Sequence, residues 1–225
     1  MNADSITLAD ALRQRRSVRG FLDKPVPQAV LDEVFALAQH APSNCNIQPW
    51  QVWVASGQAR DTLRDRMVEK VSQGVPFEPD YDSLPRFEGV YRDRQVDCAM
   101  ALYGSMGIAR EDREGRRQAE LRNFQLFDAP HVAFIGMEKA FGVTVALDVG
   151  MYVQSLLLTL SAYGLGACAQ GSMRYYPADV REILGIADST AIVLGISFGY
   201  EDPSIAANKT RVGRVSVQDS VRFCD

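Results

Sequence analysis

The chain has 225 residues, 47% hydrophobic and 23% charged, with 24 Lys and Arg against 28 Asp and Glu. That composition excludes a disordered, collagenous or coiled-coil chain, and a net charge of -4 argues against a surface built throughout to bind nucleic acid or an anionic membrane. At about 150 residues per domain the length allows one or two domains with a core that needs no disulfide or metal, and nothing in the pattern divides the chain.

The elements are read in chain order. Ser5 and Thr7 are candidate caps for a short helix carrying Leu8, Ala11 and Leu12, which ends in a cluster of arginines before Gly20. Pro27 opens an amphipathic helix through Ala38 that stops at Ala41-Pro42. After the polar loop SNCNIQP, WQVWVA reads as a buried strand, followed by a charged helix over about 58–70.

Residues 74–94 hold prolines and aromatics in neither period and read either as a lid or binding loop or as a surface excursion tacked down by its aromatics. Helical texture returns at about 95–108 and 114–124, with the charge run REDREGRR between them as a solvated turn. HVAFIG and AIVLGISFGY are the second and third strands, separated by an apolar helix over 145–163, the glycine-rich segment YGLGACAQGSM and a capped helix from Pro177 to Leu184. Few strands and many helices out of βαβ order predict an α+β sandwich. The tail over 201–225, with Val212, Val215, Val217 and Val221, cannot bury itself alone and is expected to pack on another chain.

The four cysteines, Cys45, Cys98, Cys168 and Cys224, form no CxxC pair, so reduced thiols are expected. Neither the first twenty residues nor the polar-interrupted run near Leu156 suits a signal peptide or a membrane span, and a soluble cytoplasmic protein is expected. His40 and His131, the only histidines, give no local support to a Ser/His/Asp triad or a metal site, and both read as structural.

Two basic elements stand near opposite ends of the chain. RQRRSVR offers Arg15, Arg16, Ser17 and Arg19 at a helix end, and NKTR offers Lys209 and Arg211; together they could hold a phosphomonoester, apart each is a solvated face. Between two prolines, Ser43, Asn44, Asn46 and Gln48 present hydroxyl and amide groups able to read a heterocycle edge or polyol. The glycines of YGLGACAQGSM lack dinucleotide-fingerprint spacing and follow a helix, though they could let backbone approach a flat ring.

Taken together, RRSVRGF, APSNCNIQPW, GLGACAQGSM and NKTR, in this order along nearly the whole chain, resemble the FMN-dependent nitroreductase family. The resemblance implies a three-layer sandwich with a central, mainly antiparallel sheet, in a homodimer whose C-terminal tail embraces the partner. It implies that Arg15, Arg16, Ser17, Lys209 and Arg211 hold the FMN phosphate, with Arg19 beside the pyrimidine end of the ring. Pro42, Ser43, Asn44, Asn46 and Gln48 match the loop that reaches the flavin from the other subunit, and Ala169, Gln170 and Gly171 match the backbone along it. Asn44, where a small residue is frequent, and Cys45 depart from the commonest pattern.

The implied activity is ping-pong two-electron transfer from NADH or NADPH to a nitroaromatic or quinone-like compound, with no protein nucleophile, acid or base and no metal. Phe77, Tyr81, Phe87, Tyr91 and Phe124 are candidate stacking surfaces for a small aromatic substrate. The same fold also hosts dehalogenating, flavin-fragmenting and azoline-oxidising enzymes, and a non-catalytic FMN-binding protein could use the same basic residues.

Overall fold

The computed structural model describes residues 6–82 and 86–224, so Ser5 lies outside the described residues and Thr7 is the cap of the first helix. Helices α1 (Leu8–Gln14) and α2 (Gln28–Ala38) precede strand β1 (Gln51–Ser56), and α3 (Gly57–Ser72) follows it. Helices α4 (Gly89–Ser105) and α5 (Arg113–Leu121) lead to β2 (His131–Glu138), α6 (Val143–Ala162), β3 (Gly166–Gln170), α7 (Pro177–Leu184) and β4 (Thr190–Gly199). A single-turn α8 (Val217–Ser220) lies in the tail.

The strands form one antiparallel sheet in the order β1-β2-β4-β3. Alternation in β2 sorts the side chains into two cores, as a strand buried on both faces requires. Ala133, Ile135 and Met137 pack with Leu31 and Val34 of α2 and Val149, Leu156 and Leu160 of α6. Val132 and Phe134 pack on the other face with Leu63 and Met67 of α3 and Val180 of α7. In β4 the register shifts opposite Ile135 and Gly136, where Val193 is the extra residue. This bulge reverses the parity, so Ile192 joins the α3/α7 core while Ile196 and Phe198 join the α2/α6 core. The result is the three-layer α+β sandwich that the sequence suggests.

The structure corrects the sequence reading at three places. GACAQ of the glycine-rich segment is an edge strand, β3, held by pairing to β4 from Gly166 opposite Gly199 to Gln170 opposite Gly195. The excursion ends early, because residues 89–94 are the first turns of α4, all of them exposed and hence without an apolar period to see. The second half of REDREGRR is helical too, with Asp112 capping α5 through the Gly115 N–H at 2.8 Å.

Residues 75–82 are pinned rather than loose. The Glu78 N–H donates to the Tyr175 carbonyl at 3.0 Å, and Asp80 accepts from Arg181 at 2.7 Å and from the Ile192 N–H at 2.9 Å. Burial alone would raise the Asp80 carboxyl, but Arg181, the Ile192 amide and Lys139 outweigh it and hold Asp80 below its ordinary range.

By length and composition α6 could cross a membrane, yet Val149, Tyr152, Leu156 and Leu160 are buried in the α2/α6 core. Its opposite face leaves Val143, Leu147 and Met151 exposed.

His131 is structural. The Val26 N–H donates to its Nε2 at 3.0 Å, so a neutral ring carries its proton on Nδ1 and donates to Ser56 Oγ. Burial and the nearby Arg60 push the imidazole below its ordinary value. The unfolded chain therefore takes up this proton near pH 6.5 while the folded chain resists it, and stability falls as the pH drops through and below about 6.5. Urea unfolding between pH 7.5 and 5 should show that slope in the native protein and a flatter one in His131→Gln.

Candidate functional site

The basic segment after α1 lies along the free edge of β3. Ser17 forms a parallel bridge with Ala167, and the Val18 N–H donates to the Ala167 carbonyl at 3.0 Å. Gly166 permits that approach, since a Cβ there would stand 2.8 Å from Val18 Cγ2. Residues 20–22 then pair with 200–202: Phe21 bridges Glu201, the Leu22 N–H donates to the Tyr200 carbonyl at 2.9 Å, and the Asp202 N–H donates to the Gly20 carbonyl at 3.0 Å.

Asn208 joins the two basic elements. Its Oδ1 accepts from the Arg19 N–H at 2.7 Å, and its Nδ2 donates to the carbonyls of Gly20 at 2.9 Å and Asp202 at 2.8 Å. It is buried, and the next turn presents Lys209, exposed, and Arg211, whose guanidinium donates to the Asn208 carbonyl at 2.8 Å. RQRRSVR and NKTR, remote in sequence, thus share one corner of the fold.

Within that corner the cations differ in what occupies them. Arg16 donates to both carboxylate oxygens of Glu201, whereas Arg15, Lys209 and Arg211 make no ion pair among the described residues. Burial pushes the Cys168 thiol of β3 up, against the opposing pull of Arg19, the Ser17 hydroxyl and Arg15. Arg19 also lines a pocket of about 240 Å³ with Arg122, Asn123, Phe127 and Ala206.

Past the cations, β3 ends at Ala169 and Gln170, and Gly171 follows it. The Gln170 side chain turns inward, accepting from Ser197 Oγ and donating to the Asn123 carbonyl at 2.8 Å, so the strand end is fixed while Ala169 and Gly171 stay exposed. A Cβ at Gly171 would meet nothing within 4 Å.

The loop after α2 is held by α6. The Asn44 N–H donates to Asp148 at 3.1 Å, and Trp50 stacks on Tyr152 with ring centres 4.9 Å apart. Burial raises the Tyr152 hydroxyl to about 12. Ser43 accepts from the Gln48 N–H at 2.9 Å, and Cys45, Asn46 and Gln48 all sit at positive φ, of 50°, 57° and 46°. Pro42, Ser43, Asn44, Asn46 and Gln48 form no hydrogen bond with the basic corner of the same chain among the described residues.

The candidate aromatic residues fall into separate groups. Phe77 stacks on Tyr175 at 4.3 Å and lies 6.4 Å from Phe124, which is itself buried in the α3/α7 core. Tyr81 packs against the α2/α6 core near Phe141. Phe87 and Tyr91 line an open groove of about 530 Å³ along α4 with Cys98 and Leu102. That groove shares Leu102 and Tyr103 with the Arg19 pocket.

Sequence reasoning missed Asn208, Glu201, Arg122, Asn123 and Asp148. Asn208 stands inside the NKTR motif, and its one available signal was an amide beside two cations; the others carry no local signal.

An α+β sandwich that gathers cations from both ends of the chain at the edge of its sheet, beside an exposed glycine-ended strand, is suited to an anionic ligand with a flat extension. The nitroreductase family model matches residues 12–200, and the chain belongs to that family. Nitroreductase NfnB of Mycolicibacterium smegmatis is 36% identical over 217 residues, covering 94% of this chain and 90% of that protein. Chloronitrobenzene nitroreductase of Comamonas testosteroni is 31% identical, with 95% of each covered. The crystal structure of the FMN-dependent nitroreductase NfnB from Mycobacterium smegmatis in complex with NADPH superimposes with a TM-score of 0.91 at 35% identity, covering 97% of this chain and all of that one.

Replacing Asn208 with Ala removes three hydrogen bonds and leaves the Arg19 amide without its acceptor, while the carbonyls of Gly20 and Asp202 keep the N–H groups of Asp202 and Ile205. At about 1 kcal/mol per bond the loss should be about 3 kcal/mol, measured by chemical denaturation, with Asn208→Asp only partly tolerated because it lacks the two donors.

Proposed function

We propose that the chain is an FMN-dependent oxidoreductase that uses NADPH or NADH to reduce nitroaromatic or quinone-like compounds, working as a homodimer. The observation that carries this reading is the convergence of residues 15–19 and 208–211 through Asn208.

The donor set fits a flavin phosphate. Arg15, Lys209 and Arg211 are cationic without ion-pair partners among the described residues, and Ser17 adds a hydroxyl from the edge of β3. The Nε of Arg16 and the Oγ of Ser172, the residue after Gly171, are buried without hydrogen-bond partners among the described residues, as expected of atoms awaiting a ligand.

When bound, FMN supplies reversible two-electron transfer between a nicotinamide and the acceptor, so the chain need provide no nucleophile. Arg15, Arg16, Ser17, Lys209 and Arg211 grip the phosphate by charge-assisted hydrogen bonds. Arg19 places a positive charge at the pyrimidine end, where reduction builds negative charge. The fixed backbone of Ala169, Gln170 and Gly171 lines the ring, and the partner's copy of the loop over 42–48 adds its amides and hydroxyl. Phe87 and Tyr91, whose groove adjoins the Arg19 pocket, offer an aromatic wall for a flat acceptor, whereas Phe77 stacks in a separate cluster, Tyr81 packs on the α2/α6 core and Phe124 is buried.

Several surfaces support the homodimer. Leu8 and Leu12 of α1 are 68% and 52% exposed, and α1 packs on α6, whose Val143 and Leu147 are 80% and 66% exposed. The tail adds Val212, Val215, Val217, Val221 and an 87% exposed Phe223. Apolar area of this extent on a lone chain is the mark of an interface.

Purified, desalted protein should be yellow, bleach anaerobically with NADPH or NADH, and regain colour on addition of nitrobenzene. A colourless protein that FMN does not reconstitute would reject the reading. Arg15→Ala and Arg211→Ala should each weaken FMN binding by one to two powers of ten, from about 1.5 to 3 kcal/mol per charge-assisted bond, as read by flavin fluorescence.

A further inference from the structure

Glu201 brings a carboxylate into a corner otherwise suited to an anion, and neither the family motifs nor the proposed chemistry uses it. Its place is set by backbone: Phe21 bridges Glu201, and the flanking residues bond at both sides, from the Leu22 N–H to Tyr200 and from the Asp202 N–H to Gly20. From that fixed strand both carboxylate oxygens accept from Nη2 of Arg16. The Arg16 Nε, by contrast, is buried and has no hydrogen-bond partner among the described residues.

A guanidinium is a rigid plane, so anchoring one nitrogen on a carboxylate fixes the direction of the remaining N–H groups. A buried N–H left without an acceptor is costly, and an oxygen of an anionic ligand would satisfy it. We propose that Glu201 is a positioning residue, which anchors Arg16 through Nη2 and so aims its Nε–H at the phosphate of FMN. The inference rests on the flavin reading above and assigns a role to a residue that reading leaves idle.

The proposal makes a prediction opposite in sign to simple electrostatics. Neutralising a carboxylate beside a phosphate site should tighten phosphate binding if Glu201 only competes for Arg16, and should loosen it if Glu201 orients Arg16. Riboflavin, which has the ring and ribityl chain but no phosphate, separates this effect from general damage to the site.

The test titrates flavin-stripped, full-length protein with FMN and with riboflavin, following flavin fluorescence, for the native chain, Glu201→Gln and Glu201→Asp. Glu201→Asp keeps the charge but withdraws it by one methylene, and it serves alone if Glu201→Gln does not fold. The expected result is FMN binding about tenfold weaker in each variant with riboflavin binding unchanged, the loss of one charge-assisted contact. In an Arg16→Lys background, which has no Nε–H fork, Glu201→Gln should add little further loss. Tighter or unchanged FMN binding, or equal losses for both flavins, would overturn the proposal. A native protein that binds neither flavin, or binds both equally, would instead reject the flavin phosphate reading itself.

Discussion

The corner on which the site depends is organised by a neutral side chain, the carboxamide of Asn208. Its oxygen takes the Arg19 amide and its nitrogen serves the carbonyls of Gly20 and Asp202, so one group ties three backbone atoms from two distant segments. A carboxylate could not do this, because two of the three partners need a donor. Nor could the segments approach so closely without Gly20, where a Cβ would come within 2.5 Å of Ile205 Cγ1. The cations ride on this frame. Bringing Arg15, Arg16, Arg19, Lys209 and Arg211 together carries a repulsive cost, which Glu201 partly offsets by taking one of the five.

Helix α6 has a comparable economy. Its inward residues build the core over the sheet, Asp148 and Tyr152 hold the loop that follows α2, and Val143, Leu147 and Met151 face outward. A helix apolar nearly all round keeps an exposed apolar face once its inner face has met the sheet. The loop it holds is tied at both ends, by the Asn44 N–H on Asp148 and by Ser43 accepting from the Gln48 N–H, with Cys45, Asn46 and Gln48 at positive φ between and at these ties.

The fold was legible where one face of an element is buried. In α2, with Leu31, Val34 and Ala38 inward, and in β2 and β4, the hydrophobic period reports the core directly. Strand β3 was not legible, because GACAQ pairs through backbone and carries small side chains chosen for close approach. The start of α4 was hidden for the opposite reason, its exposed surface giving no period. At the candidate site, Arg15 to Arg19 and Lys209 to Arg211 stood out as local charge, and the family resemblance joined them. Asn208 and Glu201 could not stand out, since their importance lies in what the folded chain places opposite them. The five aromatic residues were legible only as a class; sequence does not say that Phe87 and Tyr91 line one groove while Phe77 stacks in another cluster.

The bond from Asn208 to Arg19 spans 189 residues of chain. Closing so long a loop is entropically slow, and neither basic segment has the other to lean on until the chain has been made past residue 211. The sheet itself lacks an inner strand until β4 has been made, so the corner closes together with the last strand of the fold. Flavin capture would then be among the last events of maturation, and the yellow colour would report on chains that have closed this loop, not on chains that have merely collapsed.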